Sequence, residues 1–472
     1  MNKSVLLFVL SLVVLLSARE LISQSTWTLE SCVQRAMEQS LSVQASTLGE
    51  QNGELTLEQA RLAQYPSLNG NVNVSANFGR TIDPTTNDFI NKGFYSNNIG
   101  LSSGVILYNA GRLQKNIQQA EKSLLAAEAS TESVKYDIAL RVANQYLAVL
   151  FAQENLKMAN EQLGLIESQK ANLDRLISAA VRAKNDIFEL DAQMAQRQQS
   201  VLENTNSLQI AKLSLAQVLR LQELTIEVVP AEDLGPTLDP DLITLEALID
   251  GTFANHPGLK SARLNTEVAK IGEDIARTAF YPTVTLGGNL GTAYSNSAKT
   301  VNGFETQFID QSIVINNTPT TIQFVQDVPV LEDSPYFNQL NDNLSIGVGL
   351  GVSVPIWNNG SARIGIERAK LNTLNQELNY QQTIEAVTLD LQNVLFDARN
   401  AKQSYQSSQT ALNAQQAAFD NSDKRYQAGA LGNLEWITAQ NLLQQAEVNT
   451  IITKYNYYFS VTILEYYLNG IN

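Results

Sequence analysis

The sequence predicts an α+β membrane protein in which short strands enter a β-barrel shared between chains and very long helices continue from it as a coiled coil. Three observations carry that prediction. Four segments alternate apolar and polar residues with period two. Two stretches keep an apolar 4-3 rhythm over many heptads. The whole arrangement occurs twice along the chain.

Composition narrows the function before any motif does. The chain has 472 residues, 47 acidic against 32 basic, and a formal net charge of −15. Nucleic acid is therefore not an expected partner, because phosphate binding needs a basic surface. One cysteine cannot build a disulfide framework. One histidine and one cysteine leave almost nothing for a zinc or copper site. A hydrolytic triad would have to use the same lone His256, and no convergent polar constellation accompanies it. Neither a catalytic residue, a cofactor nor a bound metal is expected.

The first element is a targeting segment. Lys3 supplies a positive start, Val5 to Leu16 an apolar run broken only by Ser11, and Ser23-Gln24-Ser25 small residues for cleavage. Residues 1–25 read as a secretory signal peptide, with the mature chain starting near Thr26. Cys32 lies past the apolar run, and Glu30 stands where a lipidation motif needs a small residue, so an unlipidated chain is expected. No later segment has the ~20 uninterrupted apolar residues of a membrane-spanning helix.

Two copies of one unit follow. Thr28-Leu29-Glu30 recurs as Thr244-Leu245-Glu246, and Tyr65-Pro66 as Tyr281-Pro282, both 216 residues on. Leu107-Tyr108-Asn109-Ala110-Gly111 resembles Ile356-Trp357-Asn358-Asn359-Gly360 at an offset of 249, so the second copy carries 33 extra residues. They fall between Ser295 and Asp342 in a polar stretch without helical period, which reads as a loop. The expected repeats span 26–240 and 241–472. Each runs helix, Tyr-Pro, strand, strand, Gly, then a long helical hairpin. The proline blocks helix continuation and biases its predecessor to extended geometry.

The strands are expected at 67–78, 97–108, 283–294 and 343–356. In the first, Leu68, Val72, Val74, Ala76 and Phe78 share one face, while Asn69, Asn71, Asn73, Ser75 and Asn77 share the other. In the last, Leu344, Ile346, Val348, Leu350, Val352 and Val354 oppose Asn343, Ser345, Gly347, Gly349, Gly351 and Ser353. Alternation between aliphatic residues and Asn, Ser or Gly suits a wall between lipid and a wet lumen. A soluble sheet on a helix layer is the competing reading. A strand of about 12 residues is ~40 Å long and spans the apolar layer when tilted. Four strands cannot close a barrel, since closed forms need about eight, and an open edge in lipid leaves unpaired backbone groups. Several chains must then share one barrel, as a dimer, trimer or tetramer.

The helical hairpins are expected at 111–221 and 360–468. From Gly111 to Ser178 there is no proline, and Leu113, Ile117, Ala120, Leu124 and Ala127 open a rhythm that runs on to Leu173 and Ile177. The second copy repeats it through Leu371, Leu374, Leu378, Val387, Leu391 and Val394. Sustained 4-3 spacing is the signature of coiled-coil packing, so these positions read as core.

This ordered, duplicated pattern, with Trp27-Thr28-Leu29-Glu30 at the mature start and Tyr426-Gln427-Ala428-Gly429 through Glu435 to Ala439-Gln440 at the second helical turn, resembles the TolC-like outer-membrane efflux family over essentially the whole mature chain. The resemblance implies a homotrimer with one twelve-stranded barrel in outer-membrane lipid and a periplasmic α-helical barrel that tapers at its tip. It implies a passive exit duct for efflux or type I secretion, engaged at that tip by a periplasmic adaptor protein and an inner-membrane pump of RND or ABC type.

The resemblance also places functional residues. Asp186, Tyr426 and Glu435 fall on gate positions, where neighbouring hairpins close the family's pore. Leu431 stands where the best-known members place an arginine, and Thr438 where they place a second aspartate, which implies a gate held by different contacts. The residues also admit plainer roles. Asp186 followed by Glu189 forms a capping box, and Glu435 suits the first turn of a helix. Threefold symmetry would make a ring of carboxylates from Glu435, so a cation-preferring channel is expected. The turns Val181, Arg182, Ala183, Lys184 and Gly429, Ala430, Leu431, Gly432 are small and largely apolar, which suits docking to an adaptor. A plain glycine-capped turn is the alternative. Cys32 reads as a buried helix residue and His256, before Pro257, as a structural residue at a helix end. A trimeric coiled-coil surface protein of adhesin type, anchored by a barrel, is the competing function.

Overall fold

The computed structural model describes residues 26–82, 87, 89–91, 93–181, 183–221, 226–229, 238–315 and 318–469. The expected signal peptide lies outside them. In chain order the elements are β1 (Thr26–Trp27), α1 (Leu29–Gln39), α2 (Leu41–Leu62), β2 (Ser67–Asn77), β3 (Arg80–Ile82), β4 (Phe89–Asn91) and β5 (Phe94–Tyr108). Then come α3 (Arg112–Ser178), α4 (Ile187–Leu219), β6 (Glu227–Val228), α5 (Leu245–Asn255), α6 (Pro257–Arg277) and β7 (Thr283–Ser295). The chain closes with β8 (Lys299–Ile315), β9 (Thr318–Asp333), α7 (Tyr336–Asp342), β10 (Ser345–Ser353), α8 (Ser361–Gln427) and α9 (Asn433–Asn469). Among the described residues no helix is long and apolar enough to cross a membrane.

The chain divides into two units. One comprises residues 1–54, 122–268 and 373–472; the other comprises 55–121 and 269–372. In the first, helical unit, the core forms where short helices seat on long ones. Cys32, Val33 and Ala36 of α1 pack with Val142, Tyr146 and Val149 of α3 and with Leu215 and Leu219 of α4. Burial and the nearby Glu30 push the Cys32 thiol up to about 12, so it stays neutral and acts as a small apolar residue. A second cluster joins Leu248 of α5, Leu259 of α6, Leu391 and Ala398 of α8, and Leu464 of α9. Thr28 and Ser31 form a reciprocal capping box at the start of α1. The parallel pair β1–β6 is tied down by Tyr146, whose hydroxyl lies 3.2 Å from the Trp27 carbonyl and 3.3 Å from that of Val229.

In the second unit, four strands make one antiparallel sheet in the order β10-β7-β5-β2. Its apolar rows remain exposed: Leu68, Val72 and Val74 on β2, and Ile346, Val348, Leu350 and Val352 on β10, each at least 61% exposed. The polar rows interlock by size. Asn71 stands opposite Gly100, and Asn289 opposite Gly347. A Cβ at Gly347 would fall 2.5 Å from Asn289 Oδ1, so any larger residue would make that amide move. β10 is shorter than the alternation predicts, because α7 occupies the chain up to Asp342 and Pro355 has no N–H for the ladder.

Both strand-to-helix junctions use one turn. Ala110 (φ 55°) and Gly111 (φ 77°) lie between Asn109 O and Arg112 N, 3.1 Å apart. Asn359 (φ 52°) and Gly360 (φ 75°) lie between Asn358 O and Ser361 N, 3.0 Å apart. Two consecutive positive φ angles suit Asn359-Gly360 and Gly111, since Asn and Gly tolerate that region best, whereas Ala110 holds it with a Cβ.

The stretch 295–342, expected as a loop, is instead a two-stranded ribbon, β8–β9, followed by α7. Its apolar residues fall on both faces, so period-two contrast is lost in the sequence. A short hairpin, β3–β4, likewise stands within the first inter-strand connection.

Candidate gate and docking tip

The gate and docking residues expected from the sequence lie where α3 passes to α4 and where α8 passes to α9, all in the helical unit. Arg182 and the side chain of Asp186 lie outside the described residues; the backbone of Asp186 closes a 3-10 turn, Lys184–Asp186.

The two long helices end identically. Val181 N donates to Leu176 O (2.9 Å) and Ala180 N to Ile177 O (2.9 Å), with Ala180 at φ 57°. Ala430 N donates to Arg425 O (2.8 Å) and Gly429 N to Tyr426 O (3.0 Å), with Gly429 at φ 74°. Each is a Schellman motif, which satisfies the last carbonyls and turns the chain sharply. Past it the backbone carries exposed Val181, Ala183, Lys184, Ala430 and Gly432. The second turn thus presents a small, uncharged surface, and the first adds the exposed Lys184.

Tyr426, in the last turn of α8, stacks on Trp436 in the first turns of α9, with ring centroids 5.1 Å apart and planes at 22°. Trp436 Nε1 donates to Asp423 Oδ1 (2.9 Å), and Gln427 Nε2 to Asp423 Oδ2 (2.6 Å). Asp423 therefore fixes both a helix neighbour one turn on and the indole across the turn. Glu435 is the third residue of α9, and its Oε2 accepts from Gly432 N at 3.3 Å. That is the back-reaching half of a capping box, so the capping role of Glu435 is present in the single chain.

Tyr426 and Trp436 also line a cavity of about 270 Å³ with Gln169, Leu173 and Leu176 of α3 and Leu190 of α4. The two turns of one chain are therefore neighbours. Next to the cavity Lys170 of α3 pairs with Asp191 of α4, and Gln169 bonds Gln440 of α9. Arg197 of α4 donates to Gln162 (2.8 Å) and Asn441 (3.4 Å). Deeper along α9, burial first and the Glu161 charge second hold the Glu447 carboxyl above its usual range. The seam between the hairpins thus holds an amide pair, an ion pair and the Arg197 guanidinium. Sequence reasoning singled out Tyr426 and Glu435 but not Trp436, Asp423 or the Gln169–Gln440 pair. Trp436 was the available signal, being one of three tryptophans and placed one residue past the capping acid.

A family model described as outer membrane efflux protein matches residues 32–219 and 248–470. The chain belongs to that family. The cation efflux system protein CusC of Escherichia coli (strain K12) is 22% identical over 391 residues, covering 80% of this chain and 73% of CusC. The pyoverdine export outer membrane protein OpmQ of Pseudomonas aeruginosa is 23% identical over 435 residues, covering 89% and 80%. A crystal structure of CusC superposes with a TM-score of 0.73 at 17% identity, covering 96% of each chain. The outer membrane protein VceC of Vibrio cholerae gives 0.71 at 15% identity, covering 94% of this chain and 96% of VceC. The expected resemblance to TolC-like channels holds, as does the mixed helix-and-strand fold. The protein is an outer-membrane efflux channel of this family, whose members are transport proteins, and the adhesin alternative falls away.

Proposed function

We propose that three copies of this chain form a passive exit duct through the outer membrane, closed at the helical tip and joined there to a periplasmic adaptor and an inner-membrane pump of RND or ABC type. The observation that carries this reading is the open sheet β10-β7-β5-β2 with its exposed aliphatic rows. Both edge strands, β2 and β10, need partners in lipid. They run antiparallel to each other, because each of the three pairings between them is antiparallel. β10 of one copy therefore meets β2 of the next in the same antiparallel sense, and three copies make a twelve-stranded barrel with an even count.

The element order from α1 to α4 recurs from α5 to α9, which supports an origin by duplication and repeats at 26–240 and 241–472. Asp186, Tyr426 and Glu435 act as the gate, and Val181–Lys184 with Gly429–Gly432 as the adaptor-docking turns. The Glu435 carboxylates of three copies form one ring and favour cations. The duct performs no catalysis and holds no cofactor. In detergent the particle will weigh three chains, and in planar bilayers it will open ion-conducting pores. Stable, dispersed single chains in plain buffer would overturn the reading.

A further inference from the structure

One face of the sheet β10-β7-β5-β2 carries the aliphatic rows, and that face has polar exceptions at one end. Paired residues share a face, so Asn97 of β5 and Thr292 and Tyr294 of β7 lie with Ile99, Leu286, Leu290 and Val348. The exceptions stand at the strand ends remote from the helix junctions at Gly111 and Gly360. Helix α7 covers them. Thr292 Oγ1 donates to Leu340 O (2.7 Å), Asn97 Nδ2 donates to the Tyr336 hydroxyl (2.9 Å), and Tyr336 packs on Tyr294 with centroids 4.7 Å apart. Gln339 bonds Ser295 N and O (3.0 Å each), and Asn343 Nδ2 donates to Ala293 O (2.8 Å), which fixes the helix to the end of β7. So α7 lies on the same side of the sheet as the aliphatic rows.

The helix is two-sided. At ~100° per residue, Tyr336, Phe337 and Leu340 share one arc, while Asn338, Asn341 and Asp342 share the opposite one. Gln339 falls between the arcs and is buried against the sheet. Phe337 is 80% exposed and meets Tyr336 edge-on at 5.4 Å. The level of α7 along the strands is equally specific. Tyr108 stands opposite Val284 at the junction end of the aliphatic face, and Tyr294 closes its other end. The stretch of β7 from Val284 to Tyr294 covers ~34 Å along the strand. At the usual tilt of ~40° that is a height of ~26 Å, which matches the ~25 Å apolar band of an outer-membrane barrel. α7 therefore sits at one border of the band, where aromatic rings are favoured.

We infer that α7 is an interfacial anchor, seated at the boundary between headgroups and acyl chains with Tyr336 and Phe337 against lipid and Asn338, Asn341 and Asp342 in the headgroup layer. This rests on the duct reading, which puts the long helices in the periplasm and so makes this border the outer one. The partner is lipid because α7 continues the face whose aliphatic rows that reading gives to lipid. The residues it covers are the ones that would otherwise set an amide and a hydroxyl at the edge of the hydrocarbon, where an unpaired polar group is costly. An amphipathic helix lies naturally in this plane. α7 is short, and its bonds to Ser295 and Ala293 supply the hold that its length does not.

The test uses full-length chains in a Cys32→Ala background, reconstituted in phospholipid vesicles. Phe337→Cys, Val348→Cys in the middle of the aliphatic face, and Asn302→Cys on the exposed ribbon are each labelled with a nitroxide. Power saturation then compares access by oxygen, which concentrates in lipid, with access by a water-soluble nickel chelate. The oxygen-to-nickel ratio is expected to be highest at 348, lowest at 302 and between the two at 337. A label at 337 as wet as that at 302, with 348 in lipid, overturns the anchor and leaves the duct intact. A label at 337 as deep as that at 348 also overturns it, because α7 would then lie inside the band. A label at 348 as wet as that at 302 overturns the duct reading, and the anchor with it.

Discussion

Tyr426 stacks on Trp436 across the turn between α8 and α9, their rings 5.1 Å apart, and Asp423 accepts the indole N–H at 2.9 Å. The residue proposed for the gate is thus also a structural residue, and a variant must separate the two roles. Tyr426→Phe keeps the stack and removes the hydroxyl. Combined with Asp186→Ala it is expected to raise single-channel conductance in planar bilayers several-fold with little change in melting temperature. Tyr426→Ala is expected to lose a stack worth about 0.5–1.5 kcal/mol and to loosen the turn as well. Conductance unchanged in the double variant would falsify the gate assignment.

How much of this was legible in advance depends on what each residue faces. β2 and β10 were readable because apolar residues fill one face and polar residues the other, so Val72 and Asn73 alternate as strictly as the strand does. The 67-residue helices α3 and α8 were readable because a long seam repeats its apolar spacing. The ribbon was not, because Phe308 and Ile309 are adjacent and both apolar, which erases the alternation. Trp436 was missed for a different reason: its partner Asp423 lies thirteen residues away across a turn, and no local period links them.

His256 gives the chain a pH-dependent joint. Its Nδ1 accepts from Gly258 N (3.1 Å) and lies 3.4 Å from Leu259 N, capping α6 with the neutral ring. Tyr136 lies edge-on at 5.4 Å. Burial lowers the His256 pKa, and the charges of Asp137 on α3 and Asp390 on α8 only partly offset this. Below about 6.5 the unfolded chain takes up a proton that the folded ring resists, so this contribution is complete above that pH and fades as pH falls through the folded value. His256→Asn keeps a capping acceptor without titrating there. Its melting temperature should fall less between pH 7.5 and pH 5 than that of the parent protein; equal slopes would remove His256 from the account.

Lys402 of α8 anchors the chain that leads into α5. Its ammonium lies 2.6 Å from Asp239 and 2.5 Å from Asp241, while Arg399 donates to Pro240 O (3.2 Å) and Ile243 O (2.7 Å). The hydrogen bonds to Asp239 and Asp241 hold Lys402 above its usual range and Asp239 below the usual carboxylate range. Lys402→Met keeps the aliphatic stem and removes the charge. Limited proteolysis should then cut near 238–244 faster than in the parent, while cutting elsewhere stays the same. Uniform acceleration along the chain would instead indicate global destabilisation.

The paired Schellman turns predict substitutions of opposite sign. Ala180 occupies φ 57° with a Cβ, whereas Gly429 occupies φ 74° without one and has open space around it. A left-handed residue with a Cβ is strained by about 1–2 kcal/mol, part of which glycine gives back through its freer unfolded chain. Ala180→Gly should therefore stabilise the first turn by about 0.5–1 kcal/mol, and Gly429→Ala should weaken the second by about 1 kcal/mol. Hydrogen exchange reads both, because a change of about 1 kcal/mol alters the local opening equilibrium about fivefold. Slower exchange near Val181 in the first variant and faster exchange near Ala430 in the second are expected. If both variants shift exchange in the same direction, backbone conformation does not control the turns, and contacts made by the small side chains do.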